Sequence, residues 1–335
     1  MKEKLKEKWL RLYFLANQIA AFDPWEDFAE KDRFTYIWKD KSKEVCFSFI
    51  SESAERFGIA SYVGTEDYVR ARAMLTSKNE KREPTFMLQN AYICLWNNRE
   101  DISKKDYELI KELGFKFRGK GAWLHFDRYE IGYVPTPLEE KDIDFLTTAF
   151  ENLHMMLRAV YEQGVDPEFD KDKNLVRWYE PKDKLYYTHP FEIEIPKDII
   201  THPVVTVQEN DWMRQVRSMR NADYSVELDW SYLNMIYPDF DGRETFPRLL
   251  LAVEPQNGFI IYNEMLSPSQ NHPRILFNML GYFVERYGKP AEIIIGDDDL
   301  HGILADACSK VRIKLTKKKK LPAVQKARKE IISKL

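Results

Sequence analysis

The chain has 335 residues, of which 44% are hydrophobic and 31% charged, a balance that fits a soluble globular protein and excludes a disordered or membrane-embedded one. At this length two ordinary domains can each bury a core. The net charge of −3 is unevenly spread: residues 310–335 carry eleven Lys or Arg against a single acid, Glu330, a local +10 that leaves −13 for the rest.

The lysine-rich start, Met1-Lys2-Glu3-Lys4-Leu5-Lys6-Glu7-Lys8, is not the apolar core of a signal peptide, and no run of roughly 18 apolar residues could span a bilayer. Leu5, Trp9, Leu12, Ala16 and Ile19 recur at helical spacing, and Phe22-Asp23-Pro24 ends that helix because a residue before proline avoids the α region. Strands are predicted over 33–38 and 45–50, with Lys39-Asp40-Lys41-Ser42 as their turn, then a strand over 58–63 and a helix over 65–74. A strand over 91–96 follows. Ser103 with Asp106 opens a helix that Gly114 closes, and 121–133 reads as two short strands.

Thr136-Pro137-Leu138-Glu139 has the pattern of a capping box with proline at the first helical position. Ile143, Leu146, Phe150, Leu153, Leu157 and Val160 then mark the longest helix, a core face rather than a dimer seam. Strands over 175–179 and 185–195 close the first region, and the boundary is placed at 196–203, giving domains of 1–198 and 203–335. Beyond it, a strand over 204–207, a helix over 210–220 and a polar, aromatic stretch lead to Leu249-Leu250-Leu251-Ala252-Val253, an apolar run expected of a central buried strand. Asn257-Gly258 predicts a tight hairpin turn into a strand over 259–265. Leu276, Met279, Phe283 and Tyr287 form the next helix. Ile293-Ile294-Ile295 is a buried strand, Val311, Ile313 and Leu315 alternate as the last strand, and Leu321-Pro322 opens a terminal helix. The expected fold is α+β or α/β in two domains, the second a mixed sheet (hairpin, helix, strand, helix, strand) with helices packed on it.

Several of these pieces together resemble a known family: Trp9-Leu10-Arg11-Leu12-Tyr13, Phe22-Asp23-Pro24-Trp25, 57–64 (FGIASYVG), 247–251 (PRLLL) and 289–295 (KPAEIII). The family is one of uncharacterised bacterial proteins built from two adjoining domains of unknown function, and the similarity spans nearly the whole chain. It implies a fold and no activity, since these are packing and turn motifs.

No Walker loop, dinucleotide glycine fingerprint or nucleophile-elbow motif is present. Asp297-Asp298-Asp299 follows a buried strand and opens a helix, which makes one an N-cap and the others first-turn acids. The sharper reading joins Asp297 to Glu254 and Glu285 as ligands for Mg²⁺ in a ribonuclease-H-like nuclease, whose core has a similar order of elements. A third hairpin strand is not evident, and Glu254 stands beside Pro255 at a turn. Outside that alternative no cofactor is expected.

The six histidines lack metal-binding spacing and are expected to be exposed. Cys46, Cys94 and Cys308 sit in apolar contexts as buried free thiols, and Trp25, Trp38, Trp96 and Trp123 read as core. The run Lys317-Lys318-Lys319-Lys320 points to weak binding of nucleic acid or another polyanion, with a solvated face as the plainer reading. Leading among functions is a non-enzymatic cytosolic binding or regulatory protein, with no membrane partner.

Overall fold

A computed structural model describes residues 2–29, 31–38, 45–53, 56–76, 85–193 and 202–334. The turn expected at 39–42 and most of the boundary at 196–203 lie outside the described residues. The chain divides into two compact units: Met1–Lys81, Leu88–Ile131 and Pro135–Ile199 form one, and Arg82–Met87, Gly132–Val134 and Ile200–Leu335 the other.

In the first unit the helices are Glu3–Ala20 (α1), Gly64–Thr76 (α2), Lys104–Leu113 (α3) and Glu140–Gln163 (α4). The strands are Phe34–Ile37 (β1), Val45–Ser53 (β2), Arg56–Val63 (β3), Ala91–Asn97 (β4), Trp123–Tyr129 (β5), Thr136–Pro137 (β6), Asn174–Glu180 (β7) and Leu185–Phe191 (β8). They form one sheet in the order β6-β5-β4-β3-β2-β1-β7-β8, antiparallel throughout except where β1 runs parallel to β7. One face of the sheet packs with α1, α3 and α4 into a core that includes Leu12, Tyr13, Phe34, Leu124, Phe150 and Leu157. On the other face Phe47, Phe49 and Tyr62 pack against Tyr68 and Ala71 of α2.

Two expectations for this unit shift. Residues 121–133 hold the single strand β5 rather than two. Helix α4 begins later than expected, because Glu139, not Thr136, is its N-cap and closes a capping box with Asp142, while Thr136–Pro137 pairs with β5.

In the second unit the helices are Asp211–Ser218 (α5), His272–Tyr287 (α6), Asp298–Val311 (α7) and Pro322–Ile332 (α8). The strands are Ser225–Tyr232 (β9), a short pair Tyr237–Pro238 (β10) and Glu244–Thr245 (β11), then Arg248–Val253 (β12), Ile260–Leu266 (β13), Glu292–Ile295 (β14) and Lys314–Lys317 (β15). The five longer strands form a mixed sheet, β13-β12-β9-β14-β15, with β9 antiparallel to β12 and parallel to β14. Leu251, Ile294 and the residues beside Ile313 thus share one sheet, as expected. Helices α5, α6 and α7 cover one face through Val216, Leu276, Phe283, Ile303 and Ala307, and α8 covers the other through Val324 and Ala327.

Strand β9 is the element the sequence reading passed over, and it is central. Val226, Leu228 and Trp230 face the three-helix side, whereas the alternating Glu227, Asp229 and Ser231 are buried at 5%, 1% and 5% exposure. A strand carrying two acids looks solvated in sequence, and burial is tolerated here because each acid has a partner. Glu227 accepts hydrogen bonds from the backbone N–H groups of Ala323 (2.8 Å) and Val324 (3.1 Å), so it caps α8 from outside the helix. Arg328 Nη2 lies 2.7 Å from Asp229. With β9 the sheet gains the third antiparallel strand that the ribonuclease-H-like outline lacked. Topology, however, does not carry function.

The last strand starts later than its alternation predicts, because Val311 ends α7 and Arg312 is that helix's left-handed C-cap. Residues 204–207 are a strap without strand pairing, and the β12–β13 connection is a loop over 254–259, with Asn257 Oδ1 accepting from Phe259 N, rather than a two-residue turn.

Candidate binding cleft in the second unit

Helix α6 places Asn278, Gly281, Tyr282 and Glu285 at spacings of three and four, so all four lie along one stripe of its surface. The stripe borders a half-open cleft of about 420 Å³ between α5, α6 and α7. Trp212 and Met213 of α5, Phe277 and Leu280 of α6, and Ala307 and Val311 of α7 supply apolar walls, and Val207, Gln208 and Asn210 of the strap close one side.

The walls are fixed by specific contacts. The strap is tied to α7 by Val205 N donating to Gly302 O (3.0 Å), Val207 N to Asp306 Oδ2 (2.8 Å) and Lys310 Nζ to Val207 O (2.5 Å). Hydrogen bonding by Lys310 and by Val207 N holds the Asp306 carboxyl below its usual range. Gly302 is required by the crossing: a Cβ built there would lie 2.1 Å from Pro203 O. Asn210 caps α5 by accepting from Met213 N (2.9 Å), and Arg217 Nε donates to Lys310 O (2.7 Å). Lys289, buried at 3% exposure, reaches the carbonyls of Arg217 and Val311 at 3.5 Å each, so one ammonium serves the carboxyl ends of both α5 and α7.

Gly281 gives the cleft its hollow. It sits inside α6, where glycine is less favourable than alanine by about 1 kcal/mol. An added Cβ would meet nothing within 4 Å, so no close approach requires the glycine. Asn278, Gln208 and Glu285 face the same space, and no hydrogen bond or ion pair within the described residues engages their side chains. Glu285 is the single charged residue in the lining. The arrangement suits a small ligand with an apolar body and a few polar groups, since binding sites of ~300–1,000 Å³ combine apolar walls with a few placed polar groups.

The structure does not bring Glu254, Glu285 and Asp297 together. Val253 pairs with Glu227 of β9, and Glu227 with Ile294 of β14, so Glu254 leaves the sheet at the amino-terminal end of β9 while Asp297 follows the carboxyl end of β14. Their backbones are about four strand residues, ~13 Å, apart along the sheet and two strand spacings, ~10 Å, across it. Two metal ions ~4 Å apart cannot be shared over that span. Glu254 instead accepts a hydrogen bond from Asn257 Nδ2 (2.7 Å) in the hairpin loop. Asp297 is the N-cap of α7, accepting from Leu300 N (2.9 Å), and Lys317 pairs with Asp298 and holds its carboxyl below the usual range. Among the described residues no group of three or more His, Cys, Asp or Glu is placed to hold a metal ion.

The basic tail is partly spent inside the unit: Lys314 pairs with Glu292 (2.9 Å), Lys317 with Asp298 and Arg328 with Asp229. Lys318, Lys319 and Lys320 are exposed, as are Lys326 and Lys329 of α8; none forms a salt bridge among the described residues, although the charge of Lys318 helps to hold the Glu292 carboxyl below its usual range.

The first unit has a second hollow, of about 310 Å³, lined by Asp67, Asn90, Tyr92, Arg128 and Glu130. Its polar groups already satisfy one another. Asn90 Nδ2 donates to Asp67 (3.0 Å), and Arg128 Nη1 donates to Tyr92 Oη and to the buried Asp142, both at 2.8 Å. Nearby chemistry that the sequence reading missed centres on His125, whose ring nitrogens lie 3.1 Å from Asp106 and 2.6 Å from Asp127. Burial works against charge on this imidazole, but the two carboxylates outweigh it and push its pKa up to about 10. It is an imidazolium clamping α3 to β5 rather than a proton-transfer group.

His272 is likewise half-buried, packed on Trp230 with Nε2 2.9 Å from Ser267 O. Cys46, Cys94 and Cys308 are buried free thiols, and burial pushes Cys46 and Cys308 up to about 12. Trp25 and Trp96 are buried in the first core, and Trp38 and Trp123 pack against it.

No curated protein matches the sequence. Residues 9–177 match the family described as Domain of unknown function (DUF7309), and residues 212–332 match Domain of unknown function (DUF6930). The chain, with these two domains adjoining along most of its length, belongs to the DUF7309 family and carries a DUF6930 domain behind it.

Proposed function

We propose that this protein binds a small molecule in the cleft between α5, α6 and α7, and acts as a binding or regulatory protein rather than an enzyme. The observation that carries the reading is Gly281: a helix-interior glycine with empty space over its Cβ position, at the centre of an apolar hollow rimmed by Asn278, Gln208 and Glu285. The acids of β9 and of the α7 start support it from the other side, because Glu227, Asp229, Asp297 and Asp298 already serve as caps and ion-pair partners. No resident cofactor belongs to this reading; Mg²⁺ enters only under the nuclease alternative. We place the protein in a bacterial cytosol, on the family resemblance and on its three buried free thiols; no described helix is long and apolar enough to cross a membrane.

Ligand-observed NMR with a fragment collection tests the site. Fragments that bind the wild type and are lost in Gly281→Leu, whose side chain would fill the hollow, support the cleft. No binding at all, or the same fragments binding both proteins, sinks it.

A second reading rests on Lys318, Lys319, Lys320, Lys326 and Lys329, which are exposed and form no salt bridge among the described residues. Such a patch binds polyanions weakly and loses affinity steeply with salt, because each neutralised phosphate releases about one counterion. Fluorescence anisotropy with labelled DNA and RNA at two salt concentrations measures it. Equal binding by the wild type and by a variant with Lys318, Lys319 and Lys320 changed to Ser would leave the run as a solvated surface.

A further inference from the structure

The cleft's lining contains one ionisable carboxylate, aromatic walls and no cationic side chain. From this we propose that its ligand is a small organic ammonium ion with an aromatic or branched apolar body. The inference rests on the cleft being a binding site and adds the chemistry of what it takes.

Four observations converge on this class. Glu285 has no ionic partner among the described residues, so an arriving ammonium would displace no internal counter-ion. It stands one helical turn beyond Gly281 and Tyr282, which sets the carboxylate at one end of the hollow rather than over its floor. The lining includes Trp212, Phe277 and Tyr282, aromatic side chains suited to an apolar body and to a nearby cation. Asn278 and Gln208 add neutral hydrogen-bonding groups that tolerate a donor or an acceptor on the ligand. An anion would meet Glu285 with no compensating charge in the lining, and a sugar or free phosphate would leave the apolar walls unused. The basic residues nearest the lining are already paired, Arg214 with Asp211, Arg217 with Glu209 and Lys310 with Asp306.

Two probes with one indole body and opposite charge, tryptamine and indole-3-propionate, separate the alternatives by isothermal titration calorimetry on the full chain. Tryptamine binds the wild type saturably and indole-3-propionate does not. Glu285→Gln weakens tryptamine about tenfold or more, the range for a hydrogen bond to a charged group. Gly281→Leu abolishes binding, with circular dichroism confirming that the variant is folded. Glu285→Lys reverses the preference toward indole-3-propionate, a response that a merely structural Glu285 would not produce. Indole-3-propionate binding as tightly as tryptamine, with both lost in Gly281→Leu, overturns the ammonium assignment while the cleft stands. Tryptamine binding that survives both Gly281→Leu and Glu285→Gln places the probe outside the cleft and overturns the assignment, as does failure of the wild type to bind either probe at millimolar concentration.

Discussion

Gly281→Ala should make the protein more stable. In a helix interior alanine is favoured over glycine by roughly 0.8–1 kcal/mol, because glycine loses more backbone freedom on folding. That intrinsic term is usually blurred by packing, since a new methyl group either gains contacts or clashes. Here it meets nothing within 4 Å, so neither correction applies and the backbone term stands almost alone. The expected gain is about 0.5–1 kcal/mol, or ~2–5 °C in the melting temperature if the second unit unfolds as one cooperative block. Urea denaturation followed by circular dichroism reads it as a higher midpoint with an unchanged m-value. A midpoint that falls would mean that the glycine relieves a crowding or backbone need absent from this structure. The hollow would then be a by-product of packing rather than a functional feature. A rise in stability together with weaker ligand binding would be the usual trade between stability and a functional site.

Gly302→Ala is the opposite case at a helical glycine. Its methyl group must displace the backbone at Pro203, so a loss of about 1–3 kcal/mol and faster hydrogen exchange at Val205 and Val207 are expected, and wild-type exchange in the variant would contradict the crossing. Arg328→Met leaves Asp229 buried without its ion-pair partner and should cost about 3 kcal/mol or more. Asp229→Asn introduced into that background should recover part of the loss, and additive single-variant effects in the thermodynamic cycle would show that the pair does not interact. The His125 clamp has a definite sign. Its folded pKa of about 10 lies above the unfolded value, so its contribution is complete below pH ~6.5 and fades as the pH rises through 10. Discounted for partial exposure this is about 2 kcal/mol, and His125→Gln should flatten the stability profile between pH 7 and 10; a parallel profile would refute the clamp.

The elements legible in the sequence were those whose hydrophobic period is uninterrupted. Helices α1, α4 and α6 and strands β12 and β14 bury continuous or regularly spaced apolar side chains, and their positions follow from that alone. The capping signal at Ser103 with Asp106 held because it is local: the Ser103 side chain accepts from Asp106 N. Thr136 failed because an identical-looking local signal was claimed by pairing with β5, and Glu139 took the capping role. Strand β9 failed for a deeper reason. Its acids are masked by partners about a hundred residues away, Ala323, Val324 and Arg328, and a single sequence carries no sign of that pairing.

The same distance problem governs the candidate site. A carboxylate in a sequence looks available for chemistry, yet of the three candidates Asp297 and Glu254 are engaged locally as a helix cap and a loop bond, and Glu285 alone has no partner among the described residues. What separates them is the complement of neighbours rather than residue type or spacing. The cleft around Glu285 is assembled from 207–213, 277–285 and 307–311, segments that become adjacent only when Gly302 lets the strap cross α7 and Lys289 ties the ends of α5 and α7. One signal was nevertheless present in the chain itself. Leu276, Met279, Phe283 and Tyr287 define the buried face of α6, and Gly281 lies off that face, where a helix gains from almost any other residue. A glycine with neither a turn to make nor a backbone to admit is unfavourable for the fold alone, and the hollow it leaves beside Glu285 gives it a use.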